Sequence, residues 1–245
     1  MLKSYEIKDA EFGIIPIRES TRAHRVFFKA QRGCLIIVVP KGFQVSYSDL
    51  CNSITRNRDA IRRMLARTQR YAVEKALYDG RVIAFPEGNI TIKAADNVMQ
   101  HCVRVYFAGD NRLVVEYNPK DDISSPELNK KLVQCIMRLM SRRFGDMLRA
   151  LVDEQARQLN LQVTEVRVGR GSRILGHCSK DGVITISIFA VFLPVHLRLY
   201  LVCHELAHLT YFEHSKAFHD LCDMYCGGRG YEWRAELKKY VLPIS

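Results

Sequence analysis

Short apolar runs separated by turn residues dominate the first half of the chain, a pattern typical of β-strands. The runs are rich in β-branched and aromatic residues, and turns containing glycine or proline separate them. This pattern predicts strands near residues 14–17, 26–28, 35–39, 82–85, 90–93, 103–107 and 113–117. Between residues 47 and 75, apolar residues instead recur at helical spacing among arginines, which predicts one amphipathic helix. Residues 1–120 are therefore predicted to be a β-rich region with one helix.

A polar stretch with two prolines, residues 118–126, marks the predicted domain boundary. Ser125 followed by Pro126 is typical of a helix start, because serine caps the first turn and proline suits the first helical position. Apolar residues then recur at helical spacing to about residue 160. This predicts one long helix, or two helices joined near Gly145.

The remaining pattern predicts a small sheet and further helices. Residues 163–168 and 183–188 resemble strands, and Pro194 opens a helix. A closing helix is expected over residues 231–242, with Trp233 as its anchor. The fold class is therefore α+β, with expected domains at residues 1–120 and 121–245.

The composition of the chain gives it a positive net charge. Lys and Arg number 37 against 26 acidic residues, which gives a net charge of +11. A positive surface favours anionic partners such as nucleic acid. The chain has no run of five or more basic residues, however, which also fits a generally basic soluble protein with its charge spread over the surface. No apolar stretch reaches the length of a membrane span, and residues 1–10 lack the apolar segment of a signal peptide. With eight scattered cysteines and no CxxC pair, free thiols and a cytoplasmic location are expected.

The chemically informative feature is an HExxH motif formed by His204, Glu205 and His208. Residues four apart on a helix lie on one face, separated by about 40° of rotation and roughly 6 Å of rise. Two imidazoles can therefore converge on one metal ion, and zinc suits such ligands with an open fourth position. Glu205 is then the expected catalytic base, which takes a proton from a zinc-activated water.

A third ligand is expected downstream of the motif. His214 lies six residues after His208 and is the preferred candidate, and His219, five residues further, is its rival. The spacing to His214 also matches the metzincins, but those have a glycine where this chain has Tyr211. The expected cofactor is one zinc ion per chain.

The motif and its surroundings resemble the YgjP-like metallopeptidase family, relatives of the SprT-like and WLM zinc peptidases. The sequence HELAHL at residues 204–209 is followed by His-Ser-Lys-Ala-Phe at 214–218, as in that family. Residues 20–25 and 38–42 resemble its N-terminal strand pair. The resemblance implies His214 as the third ligand and a zincin-like catalytic part with a small sheet, on which the β-rich N-terminal part packs.

The chain departs from the family pattern before the metal-binding helix. An Arg-Trp-Gly-Ser-Cys-Ser element is expected there, and residues 174–179 read Ile-Leu-Gly-His-Cys-Ser. His177 is a candidate polar contact near the metal, or a plain loop histidine. Arg173 and Arg170 are candidates for binding an anionic group of the substrate. His219 stands where the family has a tryptophan and is assigned a supporting role.

These features support three hypotheses of function. The first is a zinc metallopeptidase acting on a peptide or protein. The second keeps the metal and hydrolyses a nucleotide or another phosphoanhydride, in keeping with the positive charge. The third is a nucleic-acid-binding protein with a structural metal. Three histidine ligands disfavour the third, because structural zinc sites usually fill all four positions, mostly with cysteine.

Overall fold

The computed structural model describes residues 6–31, 34–75 and 77–244. The chain divides into two compact units, Met1–Lys75 (unit 1) and Ala76–Ser245 (unit 2). The α+β class is confirmed, since helices and three small sheets alternate along the described residues. The boundary lies earlier than the one expected after residue 120. Strands between residues 82 and 117 share a core with the helix that follows them, so they belong to unit 2.

Unit 1 is a four-stranded sheet covered by two helices. Its elements are β1 (Glu6–Asp9), β2 (Gly13–Ser20), β3 (Phe27–Gln31), β4 (Cys34–Pro40), α1 (Tyr47–Arg56) and α2 (Arg58–Lys75). Alternate residues of β2 and β4 point to one face, where they pack on the apolar residues of both helices. The core consists of Ile7, Ile15, Ile17, Leu35, Ile37, Val39, Leu50, Ile54 and Ile61.

The single helix predicted for residues 47–75 is two helices. Asn57 ends α1, and its side-chain amide donates to the carbonyl oxygen of Ser53 at 2.8 Å. Asparagine competes for backbone groups in this way and interrupts helices, a local effect that hydrophobic spacing does not report. Ser46 begins α1 with a capping box closed by Asp49.

Unit 2 begins with a second four-stranded sheet and a long helix. Its first elements are β5 (Val82–Phe85), β6 (Gly88–Ala94), β7 (Val103–Phe107), β8 (Arg112–Tyr117) and α3 (Pro126–Gln158). Ser125 caps α3 as predicted, and the helix runs through Gly145 without a break. No helix among the described residues is both long enough and apolar enough to span a membrane.

The two four-stranded sheets have the same topology. Strand orders are β1-β2-β4-β3 and β5-β6-β8-β7. In each sheet the middle pair is parallel, β2 with β4 and β6 with β8, and the outer pairs are antiparallel. The sequence showed no internal repeat, because the two copies share strand order and apolar alternation rather than residue identities.

A third, smaller sheet and three further helices complete unit 2. They are β9 (Glu165–Gly169), β10 (Gly176–Cys178), β11 (Val183–Ser187), α4 (Val195–Ala207), α5 (Lys216–Tyr225) and α6 (Gly230–Leu237). β11 lies in the middle, parallel to β9 and antiparallel to β10. β10 is an edge strand that the sequence did not predict, because three residues within a glycine-rich segment show no alternation. Trp233 is buried as expected, although α6 ends five residues before the predicted end.

The buried Arg198 ties α4 to the rest of unit 2. Its guanidinium donates to the carbonyl oxygens of Ala190 and Val191, in the 3₁₀ turn Ile188–Phe192, at 3.1 and 2.9 Å. It also forms a bidentate ion pair with Glu87, which lies between β5 and β6. Nη1 and Nη2 of Arg198 donate to the two carboxylate oxygens of Glu87 at 2.6 and 2.9 Å. A buried guanidinium with this many acceptors fixes the position of the helix that carries the HExxH motif.

Candidate metal centre

Helix α4 brings His204 and His208 to one face. The helix is largely buried, and Pro194 precedes its first turn as predicted. His208 is the C-terminal capping residue and keeps helical backbone angles. The two rings are therefore neighbours, with centroids 5.0 Å apart.

His214 approaches the same point from the turn after α4. Ser215 caps the following helix α5 and sets the direction of the chain there. His204, His208 and His214 each offer a ring nitrogen, and these nitrogens lie within 4.8 Å of one another. Nε2 of His204 and Nε2 of His214 are 3.1 Å apart. His214, rather than His219, is thus the third member of the group that could hold a metal ion.

Phe218 packs against all three imidazoles. Its ring centroid is 4.9 Å from that of His204, 4.5 Å from that of His208 and 4.8 Å from that of His214. The side chain is fully buried. Phe218 therefore closes one side of the group against water, which leaves ligands to enter from the opposite side.

The chemistry of these nitrogens fits a divalent metal. Burial, with the charge of the neighbouring histidines, lowers the pKa of His204 to about 3, so its ring is neutral at pH 7. Burial also lowers the pKa of His208. Nδ1 of His208 lies 3.0 Å from the carbonyl oxygen of Tyr211, which holds the proton on Nδ1 and directs the lone pair of Nε2 outward. Three imidazoles with converging nitrogens are a donor set suited to zinc.

Glu205 lies beside the triad and is almost completely buried, with 4% of its surface exposed. Burial raises the pKa of its carboxyl group to about 8. A cation on the adjacent histidines would lower this pKa and favour the ionised form. The site thus places a buried carboxyl group beside three nitrogens that could hold a metal ion.

Strand β10 passes directly over Glu205. A Cβ atom at Gly176 would lie 2.2 Å from Oε1 of Glu205, so only glycine leaves room for the carboxylate. Gly176 stands where the expected Arg-Trp-Gly-Ser-Cys-Ser element has its glycine, and the reason for a glycine at this position is visible only in the packing.

Among the described residues, no strand pairs with the second edge of β10, which is therefore open. Ser187 N donates to Leu175 O at 2.7 Å, and Ser179 N donates to Val183 O at 2.9 Å. Because alternate residues of an antiparallel strand point to opposite edges, the peptide groups of Gly176 and Cys178 face away from β11. This edge offers backbone donors and acceptors beside Glu205.

A cavity of about 530 Å³ adjoins the triad, within the roughly 300–1,000 Å³ typical of ligand sites. Its lining includes His204, Glu205 and His214 from the centre, Gly176 from β10, and Tyr200 and Leu201 from α4. His219 lines it too, stacked on His214 with centroids 6.0 Å apart. Arg234 and Lys238, from α6 and its end, complete the wall. Sequence reasoning missed both cations, because no motif links them to the histidines.

Three of the other predicted contacts do not line this cavity. His177, in β10, is exposed and lines a neighbouring hollow that shares Gly176 with the main cavity. Besides burial, an electrostatic interaction with His177 contributes to the lowered pKa of His208, so His177 lies near the candidate centre. Arg170 and Arg173 are exposed and line neither of these two spaces. The cationic wall of the cavity comes from α6 instead of the segment before β10.

Comparison with known proteins gives one family and one solved structure. Residues 24–240 match the family described as YgjP-like, metallopeptidase domain. No curated protein matches the chain. A solved structure, the metallopeptidase zymogen of Pyrococcus abyssi abylysin, is 25% identical to this chain. The match covers 38% of this chain and 92% of that one, with a TM-score of 0.33.

Proposed function

Since this chain belongs to the YgjP-like metallopeptidase family, we propose that it is a zinc-dependent peptidase with His204, His208 and His214 as ligands and Glu205 as general base. Family membership makes the chain a metallopeptidase-like hydrolase, as its motif suggested. The observation that carries the finer proposal is the convergence of three imidazole nitrogens within 4.8 Å beside a buried carboxylate.

Zinc is the metal that this donor set favours. Three imidazole ligands leave one coordination position open, which is the arrangement of catalytic rather than structural zinc sites. Zinc bound there would polarise the scissile carbonyl group and lower the pKa of a water molecule. Phe218 keeps solvent from one side of the ligands, and the hydrogen bond from His208 to Tyr211 O holds one ring in its ligating orientation.

Glu205 supplies the proton transfers. Its carboxylate takes the proton of the attacking water and can pass it to the leaving amine, as a general base and then a general acid. Close packing against Gly176 limits the directions in which the carboxylate can point. The glycine thus positions the base without contributing a functional group of its own.

The open edge of β10 favours a peptide as substrate. An extended peptide can add to a strand edge through main-chain hydrogen bonds, whatever its side chains are. Peptide groups of Gly176 and Cys178 face that edge, and Gly176 touches Glu205. A peptide paired there would pass beside the base and the histidines.

The test combines metal content with peptide hydrolysis. We expect about one zinc per chain in the wild-type protein, and a loss of zinc and activity in His214→Ala. Glu205→Gln should retain zinc but lose about 10²- to 10⁴-fold in kcat, because general base catalysis contributes this much. His24→Ala, which changes an exposed histidine in unit 1, is the matched control. Full activity of Glu205→Gln would refute the assigned base.

A phosphoanhydride substrate would use the same histidines, but it has no peptide groups to pair with β10. The zinc-loaded protein should therefore release neither phosphate nor pyrophosphate from nucleoside triphosphates while it cleaves peptides. Turnover of a nucleotide without peptide cleavage would replace the proposed reaction with phosphoanhydride hydrolysis.

A further inference from the structure

Arg234 is a half-buried cation in the wall of the cavity. Among the residues that the structure describes, none forms an ion pair or a side-chain hydrogen bond with its guanidinium. Partial burial of an uncompensated charge is unfavourable, so this position favours an anionic ligand.

The acidic side chains near Arg234 do not neutralise it. Glu232 pairs with Arg229, and Glu236 pairs with His196. Glu205 lines the same cavity, but no ion pair joins it to Arg234 among the described residues. Lys238, one helical turn after Arg234, adds a second positive charge to the same wall and also forms no ion pair in the described chain.

Helix α6, which carries this wall, is fixed against α5. The hydroxyl of Tyr231 donates to Asp220 at 2.7 Å, and the backbone N–H of Tyr231 donates to Asp223 at 3.2 Å. At Gly230 a Cβ atom would lie 2.6 Å from Cα of Asp223, so the two helices are in close contact. Because α5 also carries Phe218, which packs against the three imidazoles, α5 contacts both the cationic wall and the histidines.

We propose that Arg234, assisted by Lys238, binds a carboxylate of the peptide substrate next to the scissile bond. The inference rests on the proposed peptidase function and deepens it, since it assigns a preference for substrates with an acidic side chain or a free C-terminus near the cleavage site. A guanidinium pairs with a carboxylate through two parallel hydrogen bonds, which gives orientation as well as affinity.

Peptide binding tests this assignment without relying on turnover. The zinc-loaded Glu205→Gln protein is titrated with three fluorescent peptides by anisotropy. One is neutral with an amidated C-terminus, one carries a glutamate and an amidated C-terminus, and one is neutral with a free C-terminus. At least one carboxylate-bearing peptide should bind at least about tenfold more tightly than the neutral amide, and comparison of the two identifies the carboxylate.

Variants of the cationic wall separate charge recognition from folding. Adding Arg234→Gln should abolish the preference, and Arg234→Lys should restore part of it. Lys239→Gln removes an adjacent exposed charge that does not line the cavity, and it should leave the preference unchanged. Zinc content and the thermal unfolding midpoint of each variant are measured in parallel.

The outcomes distinguish this inference from the proposed function. Charge-selective binding by Glu205→Gln, with no hydrolysis by the wild-type protein, would support the carboxylate site and refute the peptidase. Hydrolysis by the wild type, with equal binding of all three peptides or with a preference that survives Arg234→Gln, would refute the carboxylate site alone. Tighter binding of a nucleoside triphosphate than of any peptide would also overturn it.

Discussion

At position 176 a glycine leaves the space that the carboxylate of Glu205 occupies. The distance of 2.2 Å between a Cβ atom at that position and Oε1 of Glu205 is far below a van der Waals contact. The backbone of strand β10 can approach helix α4 this closely only because residue 176 has no side chain. The geometry of the base therefore depends on a residue with no functional group.

We predict that Gly176→Ala lowers peptide hydrolysis by about a hundredfold without loss of zinc. The added methyl group must displace the carboxylate of Glu205, and a misplacement of about 1 Å near the reacting atoms costs this much. Peptide cleavage rates and zinc content of the purified variant provide the measurement.

Gly145→Ala is a matched control for this substitution. A Cβ atom there meets its nearest neighbour, Nη1 of Arg149, at 3.7 Å, an ordinary contact. Since alanine favours the interior of helix α3, activity should be unchanged and stability slightly increased. If Gly176→Ala were as active as this control, the packing of Glu205 on β10 would not position the base.

Spacing alone predicted the local part of the site. The residues of HExxH are brought together by one helix, so their arrangement follows from helical geometry. Arg234 could not be found in this way, because its position depends on how α6 packs on α5 through Tyr231 and Gly230. Arg170 and Arg173 were chosen for proximity in sequence, and sequence proximity did not bring them to the cavity.

Among the elements of unit 1, the turn after β1 is joined to the start of α2 by charged hydrogen bonds. Asp9 accepts from the backbone N–H groups of Glu11 and Phe12 at 2.9 and 3.0 Å. It also accepts from Arg58 at 2.8 and 3.2 Å. These interactions favour the ionised carboxylate, and the hydrogen bond with Arg58 is the main cause that lowers the pKa of Asp9 to about 2.

We predict that unit 1 loses stability as the pH falls from about 4 to about 2. The pKa of Asp9 is lower in the folded state than its ordinary value of 3.8, so its contribution is complete above that value and vanishes near the folded pKa. Allowing for solvent, this contribution is about 1–2 kcal/mol. Hydrogen exchange of β1 and α2 amides as a function of pH measures it.

Asp9→Asn should remove this part of the pH dependence and lower stability at pH 7. Asp59→Asn is the comparison, because Asp59 is mostly exposed and its pair with Arg62 is also exposed. Exposed pairs contribute little to stability. Identical pH profiles for the wild type and Asp9→Asn would contradict the predicted role of this carboxylate.

Helices and strands were predictable from the sequence when their apolar pattern was long and regular. Strands near residues 35–39 and 113–117 and the long helix α3 were predicted because their apolar patterns extend over many residues. Strand β10 was not predicted, because its three residues are recognisable as a strand only from their pairing with β11 in the folded chain. The break at Asn57 was also missed, because it results from a side-chain hydrogen bond rather than from a change in apolar spacing.

On the scale of the whole molecule, positive charge is concentrated in unit 1. Residues 1–75 contain 15 basic and 7 acidic residues, a net charge of +8 out of the total of +11. The candidate metal centre lies entirely in unit 2. The charge that suggested an anionic partner is therefore mostly separate in sequence from the residues that suggested hydrolysis.

We predict that any binding of nucleic acid by the full chain depends on unit 1 and weakens steeply with salt. Release of counterions makes the logarithm of the binding constant fall linearly with the logarithm of the salt concentration. Anisotropy of a labelled oligonucleotide over a range of KCl concentrations gives the slope.

Charge reversal identifies the unit responsible. Arg22→Glu with Arg25→Glu, at exposed positions of unit 1, should weaken binding and reduce the slope. Lys130→Glu with Arg138→Glu, at exposed positions of α3, should have little effect. Equal losses from both pairs would show that binding follows total charge instead of unit 1.

The expected domain boundary after residue 120 followed from a local change in composition at residues 118–126. The boundary between the compact units depends instead on which strands share a core, and β5 to β8 share a core with α3. Apolar pattern identifies the strands but not the helix on which each sheet packs. Assignment of the second sheet to unit 2 therefore required the tertiary structure.

The shared strand order of the two four-stranded sheets has an evolutionary consequence. Duplication of one four-stranded segment would leave this repeated topology, with only strand order and apolar alternation preserved. The later sheet shares a core with α3 and with α4, which carries the HExxH motif, so changes in its packing would affect the candidate metal centre. The earlier sheet has a core of its own, and its surface can diverge toward a different partner without altering that packing.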